Sequence, residues 1–416
     1  MRRGVPFDSA LAQGLGTLPE LDRRLAHELA AGVLRQAASL DALIAPQVTR
    51  GLASVDPAIL DVLRLGSYQL RHLDRVPAHA AVATAVELAN EVAGEYRRGF
   101  VNAVLRKVAA LGREVVASTE RDDVTRLAEQ WSHPAWLVAR WLARFGRAET
   151  EALLDWNNSH PPLVVQSARL TPGDLERLFS EAGIAAFPAP FGAGLVVSAT
   201  RPELLPGYAG GAFYVQDPAQ ALVVRYAGIA AGAVVYDACA APGGKTLGLA
   251  RQARSVVAAD LARRRIPRLR ENLLRAGRGN EHVIVADALH PPVRPIAAYL
   301  LDAPCLGTGT FARHPDARLR VREAALGRLA VEQARLLDAA AERMALGGVL
   351  TYATCSLEPE EDELQVMAFL ARHPTFRRRP PVDFPPELCT PAGDLMLLPQ
   401  RHGMDGAYAA RLVREG

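Results

Sequence analysis

The chain has 416 residues, half of them hydrophobic, which is too long for one ordinary core and suits two or three domains. A net charge of +3 does not by itself mark a nucleic-acid binder, and four cysteines with no CxxC pair exclude a disulfide framework and a zinc site of that spacing. The basic start Met1, Arg2, Arg3 leads into no long apolar stretch, and no apolar run reaches the ~18 residues of a membrane span, so a cytoplasmic protein without a signal peptide is expected. Of the 48 basic residues only Lys107 and Lys245 are lysine. So global a bias reflects genomic base composition and says little about any one arginine, but it makes each lysine worth inspecting.

Residues 1 to about 115 read as helices. Leu25, Leu29, Val33 and Leu34 recur at helical spacing over 22–36, and similar patterns cover 57–73, 80–92 and 99–111. The connections are short and marked by Pro or Gly, as in a bundle. Arg97, Arg98, Arg106 and Lys107 cluster near the last helix, as a solvated face does. From about 125 to 205 the pattern is mixed. A helix with Trp136 and Trp141 spans 135–145, and strand-like 163–168 and 194–198 flank a helical 172–182. The Pro- and Gly-rich stretch 206–211 reads as a linker. Beyond it, strands at 234–236, 255–259, 282–285, 298–301 and 349–352 alternate with helices at 246–251, 261–276 and 322–345. Such alternation predicts a mostly parallel, doubly wound sheet.

The chemistry collects at the predicted strand ends. Asp302, Ala303, Pro304 and Cys305 follow one strand, and Ala353, Thr354, Cys355 and Ser356 follow another. Ligands of open α/β sheets bind outside the carboxyl ends of the strands. Two thiols there, beside an aspartate, suit covalent chemistry; free cysteine is also among the most buried residue types, and position alone does not decide. After the first strand comes DACAAPGGKT, 237–246. Its small residues let backbone approach a ligand, but its glycines are adjacent and the GxxxxGK[ST] spacing of a P-loop is absent. Lys245 stands here where arginine is otherwise the rule. Asp260 lies 16 residues after Gly244, near the spacing of a ribose-binding acid, and Asp237, Asp287 and Asp302 close neighbouring strands. Any one of them could instead cap a helix. Four in series weigh toward a ligand crevice.

DACAAPGGKT, DAPCLGTGTFARHPDAR and TYATCSLEPEEDE resemble the signature segments of the RNA cytosine-C5 methyltransferases of the Sun/Fmu, RsmB-like family. The likeness extends to Tyr214, Val215, Gln216, Asp217 and Pro218 and to the segment 400–406. The N-terminal part is similar to a NusB-type helical RNA-binding domain at Tyr68, Gln69 and Leu70, at 77–82 and at 100–106. Together they resemble the branch of the family that acts on small-subunit (16S) rRNA. The resemblance implies an all-α NusB-like domain at 1–120, a small α+β module at 121–205, and a Rossmann-like α/β methyltransferase domain at 206–416.

It further implies that Cys239, Ala240, Ala241, Pro242, Gly243, Gly244 and Lys245 hold S-adenosyl-L-methionine. Asp260 would bind its ribose, Asp287 would lie near its adenine, and Asp302 would face both cofactor and base. Cys355 matches the family's nucleophile and Cys305 the cysteine that assists product release, with Asp302 and Lys245 completing the catalytic set. Cytosine C5 is a poor nucleophile until a thiolate adds at C6, which explains the residue types. The expected partner is RNA, with no DNA, membrane or metal, and the expected state is a monomer. A tRNA substrate is the alternative within this class. A non-catalytic RNA-binding assembly factor is the alternative outside it, and the presence of Cys305, Cys355, Asp302 and Lys245 together opposes it. Leu306 and Ala407 depart from the family's usual serine and aromatic. Cys239, Cys389, His402 and Asp217 read as structural.

Overall fold

In the computed structural model, which describes residues 7–15, 18–111, 122–199 and 201–416, the first third of the chain is helical because each segment carries one apolar stripe. The helices expected at 22–36, 57–73, 80–92 and 99–111 run over Glu20–Arg35, Pro57–His72, Ala78–Ala93 and Arg98–Ala110. Asp56 accepts a hydrogen bond from the Ala58 amide and Pro57 occupies the first turn, so two residues set where Pro57–His72 begins. Leu63, Ala85, Val101 and Leu105 close the core shared by the last three of these helices. The helix expected at 135–145 breaks at Gly146, whose φ is 75°, then resumes to Asn158.

These helices form one compact unit, Met1–Ser159, which also takes in a later segment, Phe311–Arg320. Phe311 is buried against the rings of His133 and Trp141. Arg318 is buried too, and its guanidinium donates to the carbonyls of Asn157, Arg35 and Phe311 and to Asn158 Oδ1. All four partners are neutral oxygens, and burial, then the charge of Arg35, pushes the Arg318 pKa down. Arg35 donates to the Ala312 carbonyl at 3.3 Å, and the Phe7 amide donates to the Asp316 carboxylate at 3.3 Å.

The second unit comprises His160–Thr310 and Val321–Gly416. It begins with an antiparallel sheet of β1 (Leu163–Ser167), β2 (Ala186–Pro188), β3 (Leu195–Val197) and β4 (Phe213–Val215), in the order β2-β3-β1-β4. The helix Pro172–Glu181 is capped by Thr171, whose hydroxyl oxygen accepts from the Asp174 amide at 3.2 Å. β4 lies beyond the stretch read as a linker. Pro and Gly there mark a turn, but they carry no information on which sheet the next strand joins.

The larger sheet contains β5 (Val234–Ala238), β6 (Ser255–Asp260), β7 (Glu281–Val285), β8 (Ile296–Asp302), β9 (Met344–Thr354), β10 (Phe376–Arg378), β11 (Leu395–Leu397) and β12 (Ala407–Arg414). The order is β10-β12-β9-β8-β5-β6-β7, with β11 also on β12. β5 to β9 are the five expected strands and pair in parallel; β12 joins β9 antiparallel. Side chains alternate between two cores. Val235, Val256 and Leu300 face the helices Pro218–Ala227 and Gly244–Ala250; Tyr236, Tyr299 and Leu301 face Glu323–Glu342 and Glu363–Arg372. From β5 the chain winds to β6 and β7 on one side, then to β8 and β9 on the other. The carboxyl ends of β5 and β8 therefore flank the switch point, where such sheets hold ligands. Among the described residues no helix is long and apolar enough to cross a membrane.

Candidate active site

Beyond β5 the chain turns sharply through 239–243. Cys239 takes φ 63° and Gly243 φ 106°; a Cβ on Gly243 would stand 2.8 Å from Leu269 Cδ1, so only glycine fits. Asp237 is wholly buried behind the turn and accepts a hydrogen bond from the Thr246 hydroxyl at 2.6 Å, tying β5 to the helix Gly244–Ala250. Burial pushes the Asp237 carboxyl up to about 7 and the Cys239 thiol up to about 12. Asp260, at the end of β6, is also turned inward. Its carboxylate, 2 % exposed, accepts from the amides of Ala241 and Ala262 at 3.2 and 2.9 Å and faces Arg265 at 3.5 Å. Asp287, past β7, stays 39 % exposed and accepts from the Leu289 amide.

The two cysteine segments meet at the ends of β8 and β9. Asp302 pairs in register with Ala353, and a few residues on, the Sγ atoms of Cys305 and Cys355 lie 3.4 Å apart. Three backbone hydrogen bonds stitch the loops together: Ala303 to the Ala353 carbonyl, Gly309 to the Cys355 carbonyl, and Gly406 to the Gly309 carbonyl. The Leu357 amide adds a fourth, to the Thr308 hydroxyl oxygen at 2.8 Å. A Cβ on Gly309 would reach within 2.7 Å of Gly406 Cα, so the close approach requires glycine. Glu361, buried, accepts from the Leu306 amide at 3.1 Å and from Gln333 Nε2 at 3.0 Å, and so fixes the loop that carries Cys305. Sequence reading missed this anchor; the acidic run 358–363 was its only trace.

Lys245 Nζ donates to Asp302 Oδ2 at 2.7 Å, with the lysine side chain 12 % and the aspartate 30 % exposed. Burial would lower the lysine's pKa, but the Asp302 carboxylate outweighs it and the net shift is upward, so the ammonium is retained. The thiol pair is asymmetric. The Cys305 hydrogen bond holds Cys355 below an ordinary thiol against the opposing effect of burial, and the Lys245 charge acts in the same lowering direction. Cys305 is pushed well above an ordinary thiol by the same hydrogen bond and by burial. The two shifts run in opposite directions because one hydrogen bond joins the thiols, and a thiol held low is the one disposed to act as thiolate.

Cys239, Ala240, Ala241, Pro242, Gly243, Gly244, Lys245, Asp260, Asp287, Asp302, Cys305 and Cys355 all fall on the carboxyl edge of β5, β6, β7, β8 and β9. Lys245, Asp302, Cys305 and Cys355 come together; Asp260 is used by the loop's own amides. A turn without long side chains from 239 to 244, with the part-exposed carboxylates of Asp287 and Asp302 beside it, is a donor set that fits a cationic sulfonium nucleoside. Asp217 caps the helix Pro218–Ala227 and accepts from the Asp405 amide, and His402 Nδ1 accepts from the Leu398 amide, both structural uses. Among the described residues no cluster of side chains could hold a metal ion.

Residues 229–413 match the family model for the 16S rRNA methyltransferase RsmB/F, residues 5–110 that of the NusB family, and residues 133–202 the ferredoxin-like domain of RsmF/B-like methyltransferases. The ribosomal RNA small subunit methyltransferase B of Pseudomonas putida is 36% identical, across 98% of this chain and 94% of its own length. Its namesake from Vibrio cholerae is 33% identical across 99% and 94%. Among solved structures, PH0851 superposes with a TM-score of 0.83 at 23% identity, covering 97% of this chain and 93% of its own, a likeness of fold. NSun6 from Pyrococcus horikoshii, solved with SFG, shares the fold at a TM-score of 0.61 and 18% identity, over 68% and 98%.

Proposed function

The chain belongs to the 16S rRNA methyltransferase RsmB/F family, and from that membership we propose that it methylates C5 of a cytosine in small-subunit rRNA through a covalent adduct on Cys355. The observation that carries the reading is the 3.4 Å pair of Cys305 and Cys355 beside the Lys245–Asp302 ion pair. When bound, S-adenosyl-L-methionine supplies the methyl group to C5 as an electrophilic sulfonium substituent.

In this reading the Cys355 thiolate adds to C6, and the C5=C6 electron pair shifts onto C5 and the ring nitrogen N3. The Lys245–Asp302 pair meets the charge that develops at N3. Once C5 carries both hydrogen and methyl, loss of the C5 proton re-forms the double bond and expels Cys355 as thiolate. Cys305 positions the base that takes that proton, or takes it itself once its own thiol proton has been released to solvent. The target cytosine must leave its stack to be reached. Residues 1–120 and 121–205 would present the RNA and 206–416 would carry out the reaction, in a monomeric cytoplasmic enzyme that acts on RNA and not DNA.

Incubation of the full chain with labelled S-adenosylmethionine and transcribed 16S rRNA, then digestion to nucleosides, should yield 5-methylcytidine. Label in any other nucleoside would overturn the reading. Cys305→Ala should trap a protein–RNA species that survives denaturing electrophoresis, and Cys355→Ala should give neither adduct nor product while binding the cofactor within about three-fold of the parent.

A further inference from the structure

Seven arginines fall within 263–278, and their surroundings divide them. Two are used internally. Arg265 Nη2 donates to the Ala241 carbonyl at 2.8 Å, and Arg275 donates to the carbonyls of Tyr208 and Phe213 while lying 4.0 Å over the Tyr208 ring. Arg268 is exposed and lies 3.9 Å from Glu271. Arg270 and Arg278 are exposed and have no carboxylate partner among the described residues. They line a groove of about 840 Å³ together with Arg169, Leu274 and Glu281. Glu281 brings one negative charge, its oxygens accepting from the amides of Arg278 and Gly279 at 2.9 Å, so three arginines and one carboxylate leave the groove with two net positive charges. Arg169 reaches the groove from beyond β1 and donates to the Leu274 carbonyl at 3.2 Å. Leu274 itself is 80 % exposed, an apolar surface set among three guanidinium groups.

We propose that this groove binds the phosphate backbone of the rRNA strand flanking the target cytosine, an inference that rests on the reading of the chain as an rRNA methyltransferase. Planar guanidinium forks match phosphate oxygens, and an exposed leucine between them gives an unstacked base an apolar surface to lie on. The groove takes in Glu281 at the amino end of β7, away from the carboxyl edge that carries Cys305 and Cys355, so the stretch it holds is RNA some nucleotides from the target, and one helix links the two places. The helix Ile266–Ala276, roughly 16 Å long, touches the cofactor loop through Arg265 before it and through Asn272, which donates to the Pro242 carbonyl at 2.9 Å. The same helix ends at the groove. The competing explanation is that exposed arginines are simply common in this chain.

Filter binding of transcribed 16S rRNA to the full chain, at several salt concentrations, separates the two. Arg270→Glu/Arg278→Glu should weaken binding at least about ten-fold and flatten the salt dependence by roughly one to two phosphate contacts. Its kcat at saturating RNA should hold while KM rises. Arg270→Gln/Arg278→Gln should fall between it and the parent, which guards against a folding artefact. Arg328→Glu, an exposed charge on the helix Glu323–Glu342, is the control. A loss no larger than the control's, with an unchanged salt slope, overturns the proposal and leaves the groove to an acidic protein partner. Weakened binding by the double variant, when the parent forms no 5-methylcytidine, would sink the catalytic reading and keep the groove. A parent that does not bind the rRNA would sink both.

Discussion

Lys245 serves two neighbours at once. Its ammonium is bonded to Asp302 and also helps hold the Cys355 thiol down, so its removal should act on a cysteine it does not touch through any hydrogen bond. Alkylation of Cys355 by iodoacetamide, followed against pH in the absence of substrate, reads this directly. In Lys245→Met the midpoint should move to higher pH, because a nearby cation favours the thiolate and its loss does not. An unmoved midpoint would mean that Cys305 alone sets the thiolate. Lys245, Cys305 and Cys355 were legible because the residue types themselves are unusual: a lysine in an arginine chain, and thiols at strand ends. The use of Asp260 was not. Its carboxylate accepts from two backbone amides, one on each oxygen, and a sequence does not show which way a strand-end side chain turns.

Asp237 joins two elements, β5 and the helix Gly244–Ala250, through the Thr246 hydroxyl, and it does so in a site that disfavours its charge. The sign of the resulting pH effect follows. In the unfolded chain the carboxyl ionises near 3.8, whereas in the fold it keeps its proton up to about 7. Between those values the folded state binds more protons, so stability falls as pH rises and levels off above 7. Asp237→Asn keeps an acceptor for Thr246 without the titration. The urea midpoint of the variant should gain on the parent steadily from about pH 4 to pH 7; a constant difference would mean that the folded carboxyl ionises normally. At this scale the parallel strands were readable from their apolar runs and the helices between them. The antiparallel additions were not. β10 and β11 are three residues each, below any periodic pattern, and in β12 five of eight residues are alanine or arginine, good helix formers that pairing with β9 overrides.

The whole molecule departs most from a string of independent domains at Phe311–Arg320, which belongs with the helices of Met1–Ser159 although it follows the Cys305 loop in the chain. Nothing in its composition announced this, since FARHPDAR reads as a polar loop and the buried use of Arg318 depends on oxygens contributed by residues 35, 157 and 158. Arg318→Ala would strand those acceptors and open a void, at a cost of about 2–4 kcal/mol to the helical unit. Hydrogen exchange should show faster exchange near the ends of Glu20–Arg35 and Ala135–Asn158, with β5 and β8 unchanged. Uniform loss of protection across both units would instead mean that they unfold as one.

The excursion also fixes how the polypeptide can be divided. No single cut separates the two units, because either side of a break near residue 160 leaves ten residues on the wrong fragment. A free helical fragment ending at Ser159 would carry a vacant slot shaped for Phe311 and Arg318, and a free catalytic fragment would carry the plug. Fragment complementation with a synthetic peptide of residues 311–320 is therefore the natural way to handle the helical half alone.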